Sequence, residues 1–164
     1  MTDLSTRLLL RQGAQRTVEK LQDNIKNKSA TSYGPMNNTG EAAQSIKYRW
    51  VSDDHIQVVS SMPGRSFNYI MTLETGRGPG GFPPVKNILD WIQQRGINPE
   101  GITQKSLAFL IARRISREGS LLYRQGGNSG IISEVQTQEW IEANFLGPIF
   151  EGVKQDFEQS IRGI

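Results

Sequence analysis

The run GRGPGG at residues 76–81 places four glycines within six positions, and a proline pair follows at residues 83–84. Glycine adopts positive φ at little steric cost, so the backbone can turn sharply here. Proline is tolerated in the first turn of a helix, so a helix is predicted to begin near Pro84 and to end with Gly96 as its C-terminal cap. Residues 68–74 are short and β-prone, which predicts a strand before the glycines. The segment therefore predicts a strand, a turn and a helix in that order.

Length and composition narrow the class of protein. The 164 residues fit one domain, and the absence of cysteine excludes disulfides and thiolate metal sites. Nineteen basic and sixteen acidic residues give a net charge of +3, which fits a nucleic-acid binder, an acidic partner or neither. No apolar run approaches the roughly 20 residues of a membrane span, and we expect no signal peptide. We therefore expect a single domain over residues 1–164 with no membrane contact.

The predicted elements indicate an α+β fold: a small antiparallel β-meander packed against several helices, with long N-terminal and C-terminal helices. Apolar residues at three- and four-residue steps predict a helix over residues 1–28. Its narrow apolar stripe is either a core face or a seam against a neighbouring subunit. Residues 29–44 are polar and predict a flexible loop. Alternating residues predict a β-hairpin over residues 45–60, which residues 68–74 complete as a meander over residues 45–74.

Four further segments follow the meander. Residues 75–83 are a glycine/proline loop, and residues 84–119 contain two helices. Residues 120–133 predict a flexible loop or arm. Residues 134–164 form the C-terminal helical region, which Pro148 is expected to bend or interrupt because proline removes a helical donor.

Trp91 is the predicted core anchor. It flanks the apolar face of the first of these two helices, to which Ile88, Leu89 and Ile92 belong. We expect this face to pack against the meander and against the second helix, and to form the centre of the core.

No residue pattern supports a catalytic or metal site. Residues 76–81 match the phosphate-binding pattern G-x-G-x-x-G, but prolines separate them from the next helix and no parallel βαβ alternation surrounds them. His55 is the only histidine, so a zinc site or a hydrolytic triad lacks its other members. We therefore expect a protein that is not an enzyme and that binds no cofactor or metal.

Charged residues near the glycine runs are the candidates for binding. Glu74 is interpreted either as a solvated charge at a strand end or as the partner of a cation across an interface. The main basic cluster, at residues 113–124, is interpreted as a phosphate contact, or else as a solvated helix face or a source of inter-subunit ion pairs. We predict that three polar segments, residues 27–40, 75–81 and 124–130, are assembly surfaces that are mobile in the free subunit. The candidate oligomer or partner interface comprises Glu74, Gly76, Arg77, Gly78, Arg113, Arg114, Arg117 and Arg124.

The order of motifs from TLETGRG through FPPVKNILDWIQQRG to LAFLIARRISREGS resembles the tail-completion and head-tail joining proteins of tailed bacteriophages. In that family a strand ends in a Glu-Gly-Thr-like turn, a proline pair leads into a short helix with a tryptophan, and a second helix has an Ile-Ala-Arg-x-Ile pattern before glycine. The resemblance covers residues 69–120. The turn here reads Glu-Thr-Gly, and the glycine-rich loop at residues 121–132 is longer than in many family members. The matching residues are Glu74, Thr75, Gly76, Pro83, Pro84, Trp91, Ile111, Ala112, Arg113, Arg114, Ile115 and Gly119.

The resemblance implies a non-enzymatic virion protein that forms part of a ring at the neck or tail top, completes the tail and joins it to the head. The implied partners are further copies of the chain, in a hexamer or a dodecamer, and neighbouring connector, tail-terminator or tail-tube proteins. DNA in the lumen is an implied but nonspecific contact. The implied place of assembly is the cytoplasm of the bacterial host. The alternative is a small basic nucleic-acid-binding accessory protein, which the net charge and the arginine cluster motivate.

Overall fold

The computed structural model describes residues 4–29, 34, 39–61 and 68–162 of the chain. The fold is α+β, as predicted, with a β-hairpin and long helices toward both ends. The elements in chain order are α1 (Leu4–Asn27), α2 (Glu41–Gln44), β1 (Ile46–Ser52), β2 (His55–Ser60), α3 (Asn68–Thr75), α4 (Val85–Gln94), α5 (Gln104–Glu118), α6 (Leu121–Arg124), a 3₁₀ turn (Ser133–Gln136), α7 (Gln138–Ile141), a π-helical segment (Glu142–Leu146) and α8 (Gly147–Arg162).

Helix α1 supplies one wall of the main core. Val18, Leu21 and Ile25 follow helical spacing and are at most 7% exposed. The predicted narrow stripe is therefore, in this half of α1, a core face within the chain rather than a subunit seam. Each such side chain contributes about 1.5–3 kcal/mol when it is fully buried. The other buried members of this cluster are Ala42, Ala43, Ile46, Leu73 and Ile131.

The predicted hairpin at residues 45–60 is confirmed. Strands β1 and β2 pair antiparallel around a turn at Asp53 and Asp54. Ile46 is buried at the base of the hairpin. At its tip, the Arg7 guanidinium of α1 lies 5.0 Å from the Trp50 ring centroid and 3.0 Å from the Asp53 carboxylate. These contacts hold the hairpin tip beside the N-terminal half of α1.

The third strand predicted at residues 68–74 is wrong, because this segment is helix α3. A strand would place residues 69, 71 and 73 on one face. Leu73 is buried and Tyr69 and Ile70 pack against the main core, whereas Met71 is 45% exposed. That pattern has the helical period. Within the described residues the sheet therefore has two strands instead of the three of a meander.

Helices α4 and α5 begin and end where the sequence indicates. Pro84 precedes α4, and Gly96 follows it with a φ of 64°. The Thr103 hydroxyl caps α5 by accepting a hydrogen bond from the Ser106 backbone N–H at 3.1 Å. Gly119 ends α5 with a φ of 84°. These caps are local, which is why the sequence was enough to predict them.

Trp91, a residue of α4, lines the space between α4 and α5 and does not lie at the centre of the main core. The two helices pack against each other, and Ile92, Ala108 and Ala112 are fully buried there. Trp91 and its neighbour Ile88 are only half-buried, and neither belongs to the main core cluster. This corrects the expectation that Trp91 anchors the core against the meander.

The C-terminal helical region is continuous from α7 through the π-helical segment into α8. Pro148 was expected to bend or interrupt it. The π-helical segment ends two residues before Pro148, and its wider turn keeps the chain helical where the proline removes a donor.

Helix α1 packs closely against the start of this region. A Cβ added at Gly13 would lie 2.6 Å from the Phe145 ring, so the two helices touch through the glycine. The indole N–H of Trp140 donates to the Thr17 hydroxyl at 3.2 Å. Gly13 therefore permits a close helix approach.

Two predicted loops differ from the structure. Half of residues 29–44 lies outside the described residues, and residues 41–44 form α2. Residues 120–133 are not an extended arm. Ser120 caps α6 by accepting from the Tyr123 backbone N–H at 3.3 Å, and the rest of the segment is fastened to α1 and α3 as described below.

Candidate interaction surfaces

Glu74 is a buried hydrogen-bond acceptor, with 7% of its surface exposed. Its carboxylate accepts from the Ile132 backbone N–H at 2.8 Å, from the Ser129 hydroxyl at 2.9 Å and from the Ser133 backbone N–H at 3.4 Å. Burial acts to raise the pKa of Glu74, but these hydrogen bonds outweigh it and hold the pKa below its ordinary value. Glu74 is thus not a solvated charge, and its partners among the described residues are hydrogen-bond donors rather than a cation. It fastens residues 128–133 to α3.

The same segment is tied to α1. Asn24, which is 2% exposed, donates its amide N–H to the Ile131 carbonyl at 3.0 Å. Glu134 forms ion pairs with Lys28 and, at 3.2 Å, with Lys20. Residues 128–134 therefore join α1 to α3 within one subunit.

The glycine loop at residues 76–81 is bonded to the C-terminal end of α5. The Arg77 backbone N–H donates to the Ser120 hydroxyl at 2.9 Å, and the Ser120 N–H donates to the Arg77 carbonyl at 2.7 Å. The Gly80 N–H donates to the Ser116 carbonyl at 2.9 Å. The Arg77 guanidinium donates to the Gly81 carbonyl of its own loop. Arg77, which was predicted to contact a partner, therefore points its guanidinium into its own loop.

Gly76 and Gly78 accommodate Tyr123 of α6. A Cβ at Gly76 would lie 2.4 Å from the Tyr123 backbone nitrogen, and one at Gly78 would lie 3.4 Å from its ring. Gly76 also has a φ of 76°, which favours glycine. These two predicted interface residues thus serve internal packing.

Glu118 brings together two of the four predicted arginines. Its carboxylate lies 2.9 Å from Nε of Arg114 and 3.4 Å from Nη1 of Arg124. The hydrogen bond from Arg114 lowers the pKa of Glu118. Arg113 and Arg117 are exposed on the same helix, α5. The cluster therefore carries positive charge that Glu118 partly neutralises.

An apolar groove of about 620 Å³ lies between α4 and α5. We call it the α4–α5 groove. Sequence periodicity predicted that the apolar faces of these two helices belong to the core. Spacing shows which face of a helix is apolar, but it does not show whether another element covers that face. The polar lining residues are Asn87, Arg114 and Arg124. The apolar lining residues are Ile88, Trp91, Ile97, Leu107, Ile111, Ile115 and Leu121.

Helix α8 carries an apolar row that faces away from the subunit. On the other side of α8, a Cβ at Gly152 would lie 2.9 Å from the Leu9 side chain, so this side faces α1. The row recurs at steps of three and four residues, and its members are 44% to 69% exposed. We call this row the α8 stripe. It consists of Leu146, at the end of the π-helical segment, and of Phe150, Val153, Phe157 and Ile161 on α8.

No acidic, cysteine or histidine cluster suited to a metal ion occurs in the part of the chain that the structure describes. No helix in that part has the length and apolar character needed to cross a membrane. Comparisons with protein-family models, curated proteins and solved structures found no match. The function is therefore inferred from the two apolar surfaces and from the motif resemblance.

Proposed function

We propose that this chain is a structural subunit of a tailed-phage virion, which forms part of a ring at the neck or tail top, completes the tail and joins it to the head. Its partners in this proposal are further copies of itself and the adjacent connector, tail-terminator or tail-tube proteins. The resemblance over residues 69–120 supplies the class of protein. The exposed surfaces supply the physical reason for assembly.

The α8 stripe is the observation that carries the proposal. Phe150 is 69% exposed and Phe157 is 67% exposed, on a helix whose outer half has no buried residue. Contiguous apolar patches of this kind mark interaction sites on soluble proteins. A second such surface, the α4–α5 groove, lies on the same subunit. Two apolar surfaces that no described residue covers make the subunit suited to contacts with two neighbours.

The ionisable groups support a structural role. Glu74 and Glu134, whose pKa values are lowered, bind the segment after α6 to α3 and α1. Glu118, whose pKa is also lowered, pairs with arginines on its own subunit. Perturbed groups at an active site usually converge on one cleft. Here each of these three carboxylates binds groups of its own subunit.

Deletion of the gene from the phage that encodes this chain tests the proposal. We expect DNA-filled heads and separate tails to accumulate, with few joined particles visible by electron microscopy. A plasmid copy of the wild-type gene should restore joined particles, and the chain should then be detectable in purified virions by mass spectrometry. Normal yields of joined, infectious particles without the chain would contradict the proposal.

The alternative, a nucleic-acid-binding accessory protein, is less well supported because Glu118 neutralises part of the arginine cluster. It predicts DNA binding that weakens steeply with salt. Tight, strongly salt-dependent DNA binding by a chain that is absent from virions would favour this alternative.

A further inference from the structure

We infer that the α8 stripe of one copy docks into the α4–α5 groove of the next copy. This inference rests on the proposed ring and names the contact that builds it. Each subunit would donate a helix through one surface and accept a helix through the other. Such a head-to-tail contact uses two different surfaces, and it generates a closed ring when the rotation between subunits closes.

The dimensions of the two surfaces match. Phe150, Val153 and Phe157 stand at positions i, i+3 and i+7, the anchor spacing of an amphipathic helix that lies in a groove. From Phe150 to Ile161 the stripe runs for about 16 Å at 1.5 Å per residue. The residues of α5 and its C-cap that line the groove run from Leu107 to Gly119, about 18 Å along the helix axis. The groove is thus long enough to receive the stripe from Phe150 to Ile161.

The charges of the two helices are complementary. Helix α5 carries four basic residues, Lys105, Arg113, Arg114 and Arg117, and one acidic residue, Glu118. Helix α8 carries three acidic residues, Glu151, Asp156 and Glu158, and two basic ones, Lys154 and Arg162. Opposite charges beside an apolar contact favour the right partner and the right register.

A contact between two α8 stripes explains less. It would pair two helices that carry the same excess of acidic residues, whereas α5 offers an excess of basic ones. It would also leave the α4–α5 groove uncovered. The groove of the neighbouring copy is the better partner because one contact covers both apolar surfaces.

A labelled acceptor subunit tests the contact. The chain contains no cysteine, so Asn87→Cys introduces a single thiol for an environment-sensitive fluorophore. Asn87 is exposed and lines the groove. The acceptor also carries Phe150→Asp and Phe157→Asp, so it can receive a helix but cannot donate one. Both phenylalanines are mostly exposed, so these changes spare the core.

Three unlabelled full-length donors are then compared with this acceptor. They are the wild-type chain, the stripe variant with Phe150→Asp and Phe157→Asp, and a control with Gln155→Asp and Gln159→Asp. The control places two aspartates on the same helix, away from the stripe, at exposed positions. Circular dichroism checks that all chains are folded.

We expect the wild-type and control donors to shift the fluorescence with the same saturation curve. The stripe variant should bind more weakly by a factor of about 30 or more, since each phenylalanine is expected to act as an anchor of the contact. Equal responses to all three donors, or no response to the wild-type donor, would overturn the inference. If a neck or tail protein shifts the fluorescence and the wild-type chain does not, then that protein, and not a second copy of this chain, occupies the α4–α5 groove.

Native mass spectrometry separates this inference from the proposed function. If the wild-type chain and the stripe variant form the same ring without a fluorescence response, the proposed ring is supported and the inferred contact between α8 and the groove is wrong. If the wild-type chain forms only dimers that the stripe variant loses, without a fluorescence response, pairing between two α8 stripes replaces the inferred contact. If the wild-type chain stays monomeric and is absent from virions, the proposed function falls as well.

Discussion

Replacing Glu74 with glutamine tests whether the buried carboxylate fastens residues 128–133 to α3. Glutamine has nearly the same shape, so the packing of α3 is preserved. It retains one acceptor oxygen, and it places an amide NH2 group where the second carboxylate oxygen was. One carboxylate oxygen, Oε2, accepts from both Ile132 and Ser129, so the amide oxygen takes its place. The NH2 group then faces the Ser133 backbone N–H, which cannot accept a hydrogen bond from it.

The expected magnitude follows from the hydrogen bonds that the carboxylate accepts. Two of them are short, at 2.8 Å from Ile132 and 2.9 Å from Ser129. A hydrogen bond to a charged group contributes about 1.5–3 kcal/mol, and a neutral one about 1 kcal/mol. Loss of the charge and of one acceptor should therefore lower the free energy of unfolding by about 2–3 kcal/mol.

Urea denaturation measures this difference, and Glu118→Gln is the control because it removes a carboxylate at the surface. We expect Glu74→Gln to lower the urea midpoint clearly and Glu118→Gln to leave it nearly unchanged. Hydrogen exchange at the Ile132 amide should accelerate only in Glu74→Gln. Equal midpoints for the two variants would refute the fastening role of Glu74.

The lowered pKa of Glu74 predicts that its stabilisation is complete above the unfolded value of about 4.3 and is lost as pH falls through the lower folded value; Glu74→Gln should flatten this acid limb in pH-dependent melts. Gly13→Ala should destabilise the protein by about 1–3 kcal/mol, although helix propensity alone favours alanine, because the new Cβ would lie 2.6 Å from the Phe145 ring; a stabilised variant in thermal melts would contradict this packing. Ile92→Ala should cost about 2–5 kcal/mol and Trp91→Ala clearly less, because Ile92 is fully buried and Trp91 lines an open groove; the reverse order in urea melts would place Trp91 in the core.

The elements that the sequence predicted well are those with local signals. The caps of α5, at Thr103 and Gly119, and the turn at Asp53 and Asp54 lie within a few residues of the structure they define. The sequence did not predict helix α3, because its eight residues carry too few apolar positions to separate the helical period from the strand period. The positions that separate a helix from a strand here are Ile70, which packs against the main core, and Met71, which is exposed. Both residues are apolar, so only the folded structure shows this difference.

The role of Glu74 and the two apolar surfaces depend on contacts that are distant in sequence. The partners of Glu74 stand 55 to 59 residues away, so no local pattern links them. Phe150 and Phe157 were correctly placed on a helix. Periodicity identifies the apolar face of α8, but it does not reveal that nothing in the subunit's described residues covers that face.

Native mass spectrometry of the full-length chain, alone and mixed with the adjacent neck and tail proteins, tests the proposed assembly most directly. We predict a closed oligomer whose mass is a fixed multiple of 18.4 kDa. The oligomer should be lost with Phe150→Asp and Phe157→Asp and kept with Gln155→Asp and Gln159→Asp. A wild-type chain that remains monomeric at every concentration, alone and with those proteins, would contradict the proposal that it is a ring subunit.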